Sequence, residues 1–164
     1  MAIYYKSVKN SFLNFIPLFI LFFITLNGNS VVELKSISIN VNYILVYYWV
    51  LRKPEAMGFG YIFISGIITD VILGLPIGIT PLALLFVAAT AAYVRVVTVK
   101  ISLVADWISF IPALLVGNFV YFVGLYFSNN LLDLLYMFQN SIFTFIFYPI
   151  LWVPFTIISN LMKS

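Results

Sequence analysis

The segment from Ala56 to Val94 carries a single charged residue, Asp70, within an otherwise uncharged and mostly apolar run. A charged side chain at the centre of a bilayer costs roughly 2.5–3.5 kcal/mol on insertion scales, so this carboxylate must be shielded, solvated or protonated. Glycines lie four residues before and four residues after it, at Gly66 and Gly74, and this spacing places all three on one helix face. The pattern predicts a membrane helix that packs closely on a neighbour and hides one polar group.

Composition extends this interpretation to the whole chain. Of its 164 residues, 64% are hydrophobic and 8% are charged, whereas an ordinary soluble domain is about 25% charged. We therefore predict an all-α integral membrane protein with one polytopic domain, residues 1–164, in contact with the lipid bilayer. The absence of Cys and His excludes thiolate, haem and Cys/His zinc chemistry, and no cofactor is expected. A net charge of +3 without a Lys/Arg cluster gives no basis for nucleic-acid binding.

Six apolar segments of 16 to 27 residues are candidates for membrane spans, which need about 17–25 residues each. The predicted spans are 11–26, 36–51, 57–75, 77–97, 101–127 and 137–161. Cytoplasmic loops are enriched in Lys and Arg. With six crossings and both termini in the cytoplasm, Lys35 lies outside and the other seven of the eight basic residues lie inside: Lys6, Lys9, Arg52, Lys53, Arg95, Lys100 and Lys163.

The second predicted span is the weakest of the six. It is short, and Ser38, Asn40 and Asn42 alternate with apolar residues at the period of a strand. If it did not cross, every later loop would change sides and five basic residues would lie outside. The charge distribution therefore favours a short helix that crosses with little tilt in a locally thin bilayer.

Asp70 lies about 20 Å along its helix from the inner boundary, at 1.5 Å per residue, so Arg95 is too distant to pair with it. Three interpretations follow. Asp70 is protonated or hydrogen-bonded between helices through Thr69, Thr80, Asn118 or a tyrosine hydroxyl, as buried polar groups normally are. Alternatively, it contacts a partner protein, or it forms a proton or ligand site.

The remaining charged residues form two small groups at the predicted cytoplasmic face. One group contains Arg52, Lys53 and Glu55, and the other contains Arg95, Lys100 and Asp106. Headgroup anchoring and a local ion pair account for them, and a docking patch for a partner is the alternative. No cluster of carboxylates suits general acid–base catalysis, so we predict that the protein is not an enzyme.

A signature in the middle of the chain resembles that of the bacterial rod-shape-determining protein family MreD, which has the form Gly-x-x-x-Asp-x-x-x-Gly-x-Pro-x-Gly. The matching residues are Gly66, Asp70, Gly74, Pro76 and Gly78, preceded by the basic-proline loop Arg52-Lys53-Pro54 and by Gly58 and Gly60. The layout of the whole chain is similar to that of the family, but the specific residues lie between Arg52 and Gly78.

The resemblance implies a non-enzymatic, multi-pass subunit of the cell-elongation machinery in the bacterial inner membrane, which organises peptidoglycan synthesis through helix–helix contacts. The implied partners are an MreC-like bitopic protein, the RodA and class B transpeptidase synthase pair and the MreB filament, whether directly or indirectly. The family fold is similar to the substrate-binding subunits of energy-coupling-factor vitamin transporters.

That similarity supplies the alternative, a substrate-binding subunit of a small-molecule transporter. Such a subunit requires an outward-facing cavity with polar or aromatic ligand contacts, whereas the predicted outer connections are short and 27–35 is the one plausible lid. A membrane enzyme acting on a lipid-linked substrate ranks below both hypotheses.

Overall fold

The computed structural model of the protein describes residues 15–28, 31–34, 37–98, 102–128 and 134–162. Within these ranges the fold is mainly helical, as predicted, and it also contains one short β-hairpin. The helices are α1 (Ile16–Leu26), α2 (Val41–Arg52), α3 (Phe59–Leu73), α4 (Ile79–Val97), α5 (Leu103–Phe127) and α6 (Leu134–Leu161). Strands β1 (Val31–Leu34) and β2 (Ile37–Asn40) separate α1 from α2, and a 3₁₀ turn (Pro54–Ala56) separates α2 from α3.

The two strands pair antiparallel, with Val31 opposite Asn40. The prediction of a helix over 36–51 is therefore wrong at its start, because the chain stays extended through Asn40 and the helix begins at Val41. The period-two alternation was the better guide to this part of the segment. Asn40 then caps α2, since its Oδ1 accepts the N–H of Tyr43 at 3.1 Å.

Helix α2 forms the centre of the fold. Every residue from Asn42 to Leu51 is buried, and the helix packs against α1, α4, α5 and α6. A helix that is buried on all sides must be apolar on all sides, which the run from Ile44 to Leu51 satisfies. At 12 residues it is about 18 Å long, shorter than a hydrocarbon core of about 30 Å. Its crossing of the membrane stays a prediction.

Helices α4, α5 and α6 have 19, 25 and 28 residues and are long and apolar enough to cross a membrane, by length and composition. This indicates a membrane protein. Helices α1 and α3 are apolar but shorter, with 11 and 15 residues in the described part of the chain. Many large apolar side chains on the outer helices are exposed, among them Phe19, Phe119 and Phe138, as expected for surfaces that face lipid. The six predicted crossings and the cytoplasmic termini stay predictions.

Helix α5 contains Pro112 within its continuous helical run. Gly117 serves close packing, because a Cβ at this position would lie 2.6 Å from Val87 Cγ2 and 3.1 Å from the Tyr43 ring. The missing side chain lets α5 approach α4 and α2 at once, as small residues do between membrane helices.

Candidate functional site

The Asp70 carboxylate is fully buried and binds the first turn of the next helix. Oδ2 accepts the N–H of Gly78 at 2.7 Å, and Oδ1 accepts the N–H of Thr80 at 3.1 Å. Gly78 is the N-cap residue of α4 and has no side chain to cap with. Asp70 of α3 therefore supplies the cap, and its position suits the positive end of the α4 dipole.

The hydrogen-bonded interpretation of Asp70 thus agrees with the structure, but its partners differ from those expected. In the part of the chain that the structure describes, they are the backbone amides of Gly78 and Thr80, and no hydroxyl or amide side chain bonds to the carboxylate. The two N–H donors and the positive end of the α4 dipole stabilise the carboxylate. Asp70 therefore needs no basic residue at the same depth. With both carboxylate oxygens used inside the protein, this arrangement does not present Asp70 to a partner protein.

Two glycines of the signature shape the turn between α3 and α4. Gly74 has φ +66°, and the N–H of Leu75 donates to the Asp70 backbone carbonyl at 2.8 Å, which together form a Schellman-type helix end. Gly78 has φ +114°, a conformation that residues with a Cβ rarely adopt. Pro76 lies between them and restricts the turn further.

The third glycine brings the two helices together. A Cβ at Gly66 would lie 2.5 Å from the Cα and 2.6 Å from the N of Pro81 in α4. Because these are backbone atoms, the neighbour cannot turn aside as a flexible side chain would. The signature residues Gly66, Asp70, Gly74, Pro76 and Gly78 therefore act together in one helical hairpin, α3–α4.

The two predicted groups of charged residues are arranged differently from the prediction. Arg52 forms an ion pair with Asp106 of α5 at 2.6 Å, and Trp152 Nε1 donates to the same carboxylate oxygen at 3.1 Å. The predicted grouping of Asp106 with Arg95 is wrong: Arg95 is exposed on the last turn of α4. Sequence distance favoured Arg95, whereas tertiary packing brings the end of α2 against the start of α5.

Lys53 follows Arg52 and is partly exposed. Lys100, the other predicted basic residue of the cytoplasmic face, lies outside the described residues. The Arg52–Asp106 pair and the Asp70 cap lie at opposite ends of the bundle, since α2 begins at the cavity described below and ends at Arg52.

A cavity of about 520 Å³ lies beside the Asp70 cap, between α2, α3, α4, α5 and α6. Ligand pockets commonly have volumes of about 300–1,000 Å³. Its polar lining consists of four Asn, three Tyr and two Thr side chains: Asn40, Asn42, Asn118, Asn140, Tyr43, Tyr121, Tyr136, Thr69 and Thr80. Apolar side chains such as Leu73, Leu84 and Met137 complete it.

Sequence reasoning missed this cavity, because its asparagines come from separate segments that are brought together by folding. The available signal was the presence of polar residues within apolar segments, which favours a buried function in a membrane protein. Asn40 and Asn42 were noted for their strand-like period, and Asn118 as a hydrogen-bond partner of Asp70. Instead, Asn118 Nδ2 donates to Ser141 Oγ at 2.7 Å.

Two polar atoms of the lining residues lack partners. Among the residues described, Asn42 Oδ1 and Thr80 Oγ1 are buried and accept or donate no hydrogen bond. A buried polar atom without a partner costs about 1–3 kcal/mol, so such atoms are uncommon in stable cores.

Neither a protein-family profile, nor a curated protein, nor a solved structure matches this chain.

Proposed function

We propose that this protein is a non-enzymatic, multi-pass subunit of the bacterial inner membrane that serves the cell-elongation machinery, as proteins of the MreD family do. The observation that carries the proposal is the α3–α4 hairpin. The five signature residues that resemble the family pattern act as one structural unit in it, through a close contact, a helix cap and two glycine turns. Residues with a shared structural task are a stronger basis for the resemblance than scattered matches.

The outer face of α3 is the proposed contact surface for a partner helix. Gly60 is exposed, and no described heavy atom lies within 4 Å of a Cβ built there. Phe63 and Ile64, which follow it at helical spacing, are 42% and 47% exposed. A small residue between larger apolar ones allows a second helix to approach closely in a membrane.

The partner best suited to this face is a single-span protein of the MreC type, because one transmembrane helix is enough to cover it. Contact with the RodA and class B transpeptidase pair and with MreB then follows directly or through that partner. Six crossings with both termini in the cytoplasm complete the proposal, with Arg52 and Lys53 at the cytoplasmic face.

Co-purification with an MreC-like partner from detergent tests the proposal. Gly60→Leu should reduce the amount of partner recovered at least several-fold without lowering the melting temperature of the isolated protein. Ala89→Leu provides the matched control, because Ala89 is an exposed small residue on α4. Equal recovery of the partner with the parent protein, Gly60→Leu and Ala89→Leu would exclude the α3 face as the contact. Normal rod shape after deletion of the gene would refute the function itself.

Substrate binding for a small-molecule transporter is the second candidate function, and the polar cavity is the observation that favours it. The two functions predict different consequences of deleting the gene. If the protein is a transporter subunit, its deletion should reduce uptake of a vitamin-type solute in cells of normal shape. If it is an elongation subunit, its deletion should change cell shape and leave uptake normal.

A further inference from the structure

The cavity beside the Asp70 cap offers many hydrogen-bonding groups within a largely apolar protein. Amide groups of asparagine both donate and accept, and hydroxyl groups do the same. Asn42, Asn118 and Asn140 approach it from three different helices. Asn118 and Asn140 also donate hydrogen bonds within the protein, to Ser141 and Ser38, whereas the Oδ1 atom of Asn42 has no partner among the described residues.

The unpartnered atoms lie in the same wall. Asn42 is 1% exposed and Thr80 is 8% exposed, and within the described part of the chain neither Asn42 Oδ1 nor Thr80 Oγ1 has a hydrogen-bond partner. Asn42 Nδ2 has one long contact, 3.5 Å from Thr25 Oγ1. Small rotations of these side chains would present both atoms to a molecule in the cavity, which would satisfy them.

Charge restricts the class of molecule. The described residues that line the cavity include no Lys, Arg, Asp or Glu. Among these residues an anion would find no basic partner, and the Asp70 carboxylate, which accepts the N–H of Thr80, lies close to this wall. A cation would find that same carboxylate already occupied by two backbone N–H groups. Either charge would lose its hydration without compensation.

The shape of the lining adds a second restriction. The rings of Tyr43, Tyr121 and Tyr136 provide flat surfaces, and Leu73, Leu84 and Met137 provide an apolar portion. Flat aromatic walls with convergent polar groups suit a ring that carries several hydroxyl or amide substituents. We infer that the cavity is a binding site for one uncharged, hydroxylated ring compound, such as a sugar-like or nucleoside-like molecule.

Matched pairs of compounds that differ by one phosphate test this class. The probes are uridine, pyridoxine and N-acetylglucosamine, each compared with its monophosphate, titrated onto the purified full-length chain by calorimetry. An amine-oxide detergent is required, because maltoside headgroups are themselves hydroxylated rings. At least one uncharged probe should bind and, at ten times its Kd, stabilise the protein by about 1.4 kcal/mol, which raises the melting temperature by about 3–6 °C. Its monophosphate should bind at least ten-fold more weakly.

Two variants connect binding to the cavity. Thr80→Val and Asn42→Leu remove the unpartnered atoms at nearly constant volume and should weaken binding of the uncharged probe at least ten-fold. Without ligand, both should melt at or above the temperature of the parent protein, because a buried unsatisfied group is lost. Thr90→Val is the matched control on α4. Its hydroxyl bonds to the Phe86 carbonyl away from the cavity, and this variant should keep full binding.

Three results would overturn the inference. Tighter binding of the phosphorylated members would show a site for anions, and failure of every uncharged probe would remove the proposed class. A lower melting temperature for both cavity variants would show that Asn42 and Thr80 serve the fold. The inference does not depend on the role in cell elongation: loss of partner co-purification leaves the binding assay unaffected, and absence of binding leaves the partner assay unaffected.

Discussion

Replacing Gly66 by alanine tests the closest approach between α3 and α4. The added Cβ would begin 2.5 Å from Pro81 Cα, and an ordinary contact requires at least 3.4 Å. The helices must therefore separate by about 0.9 Å at this point. Overpacking of this kind costs about 1–3 kcal/mol, and the higher part of that range applies because the obstacle is backbone.

The separation would also act on the Asp70 cap, which lies one turn further along α3. Part of this separation would reach the cap and lengthen its two hydrogen bonds, which are 2.7 and 3.1 Å long, so that both weaken. Hydrogen bonds to a charged group contribute about 1.5–3 kcal/mol each, and partial loss is enough to matter. Alanine regains about 0.5–1 kcal/mol of helix propensity over glycine, which leaves a net destabilisation of about 3 kcal/mol.

Thermal unfolding of the purified protein, followed by the fluorescence of its three tryptophans, measures this effect. For a chain of this length, about 3 kcal/mol corresponds to a melting temperature lowered by about 6–12 °C. Gly60→Ala is the matched control in the same helix, where no described heavy atom lies within 4 Å of the added Cβ. It should not lower the melting temperature and should raise it by up to about 4 °C, because alanine regains helix propensity over glycine. Equal melting temperatures for the two variants would refute the packing argument.

The other predictions use the same unfolding assay. Asp70→Asn keeps one acceptor of the cap and loses the other, so the free energy of unfolding should fall by about 2 kcal/mol. Asp70→Leu loses both acceptors and should lower it by about 4 kcal/mol. A larger loss for Asp70→Asn than for Asp70→Leu would contradict the cap. Arg52→Leu leaves the Asp106 carboxylate buried without its cation and should cost about 3–5 kcal/mol, and adding Asp106→Leu should recover most of it. Gly117→Ala should lower the free energy of unfolding by about 1–3 kcal/mol through its contact with Val87. Adding Val87→Ala should reduce that cost, because it removes the atom nearest to the new Cβ, and an unchanged cost would contradict the contact.

Local and periodic features of the fold could be predicted from the sequence. Hydropathy gave the helical class and the approximate extent of the long helices, because apolar length is a property of the segment itself. The glycine and aspartate spacing indicated close packing of α3, since residues four apart share a helix face. The start of α2 was misplaced, because strand pairing between β1 and β2 competes with helix formation up to Asn40.

Pairings across the bundle were not accessible in the same way. Asp106 pairs with Arg52 rather than Arg95, since the contact depends on how α2, α5 and α6 pack and not on distance along the chain. The cavity has the same origin: Asn42, Asn118 and Asn140 lie far apart in sequence. A single polar residue in an apolar helix suggests function, but which polar residues meet is decided by tertiary structure.

The signature and the cavity are structurally connected through Thr69 and Thr80. Thr80 donates its backbone N–H to Asp70 and contributes its side chain to the cavity wall, and Thr69 precedes Asp70 in the same wall. The cap therefore fixes the relative position of two lining residues from different helices. A ligand that bonds to Thr80 would strengthen the same α3–α4 contact that carries the proposed partner surface on its outer side. Binding in the cavity and rigidity of the α3 face should consequently rise together, since a ligand stabilises the state that it binds.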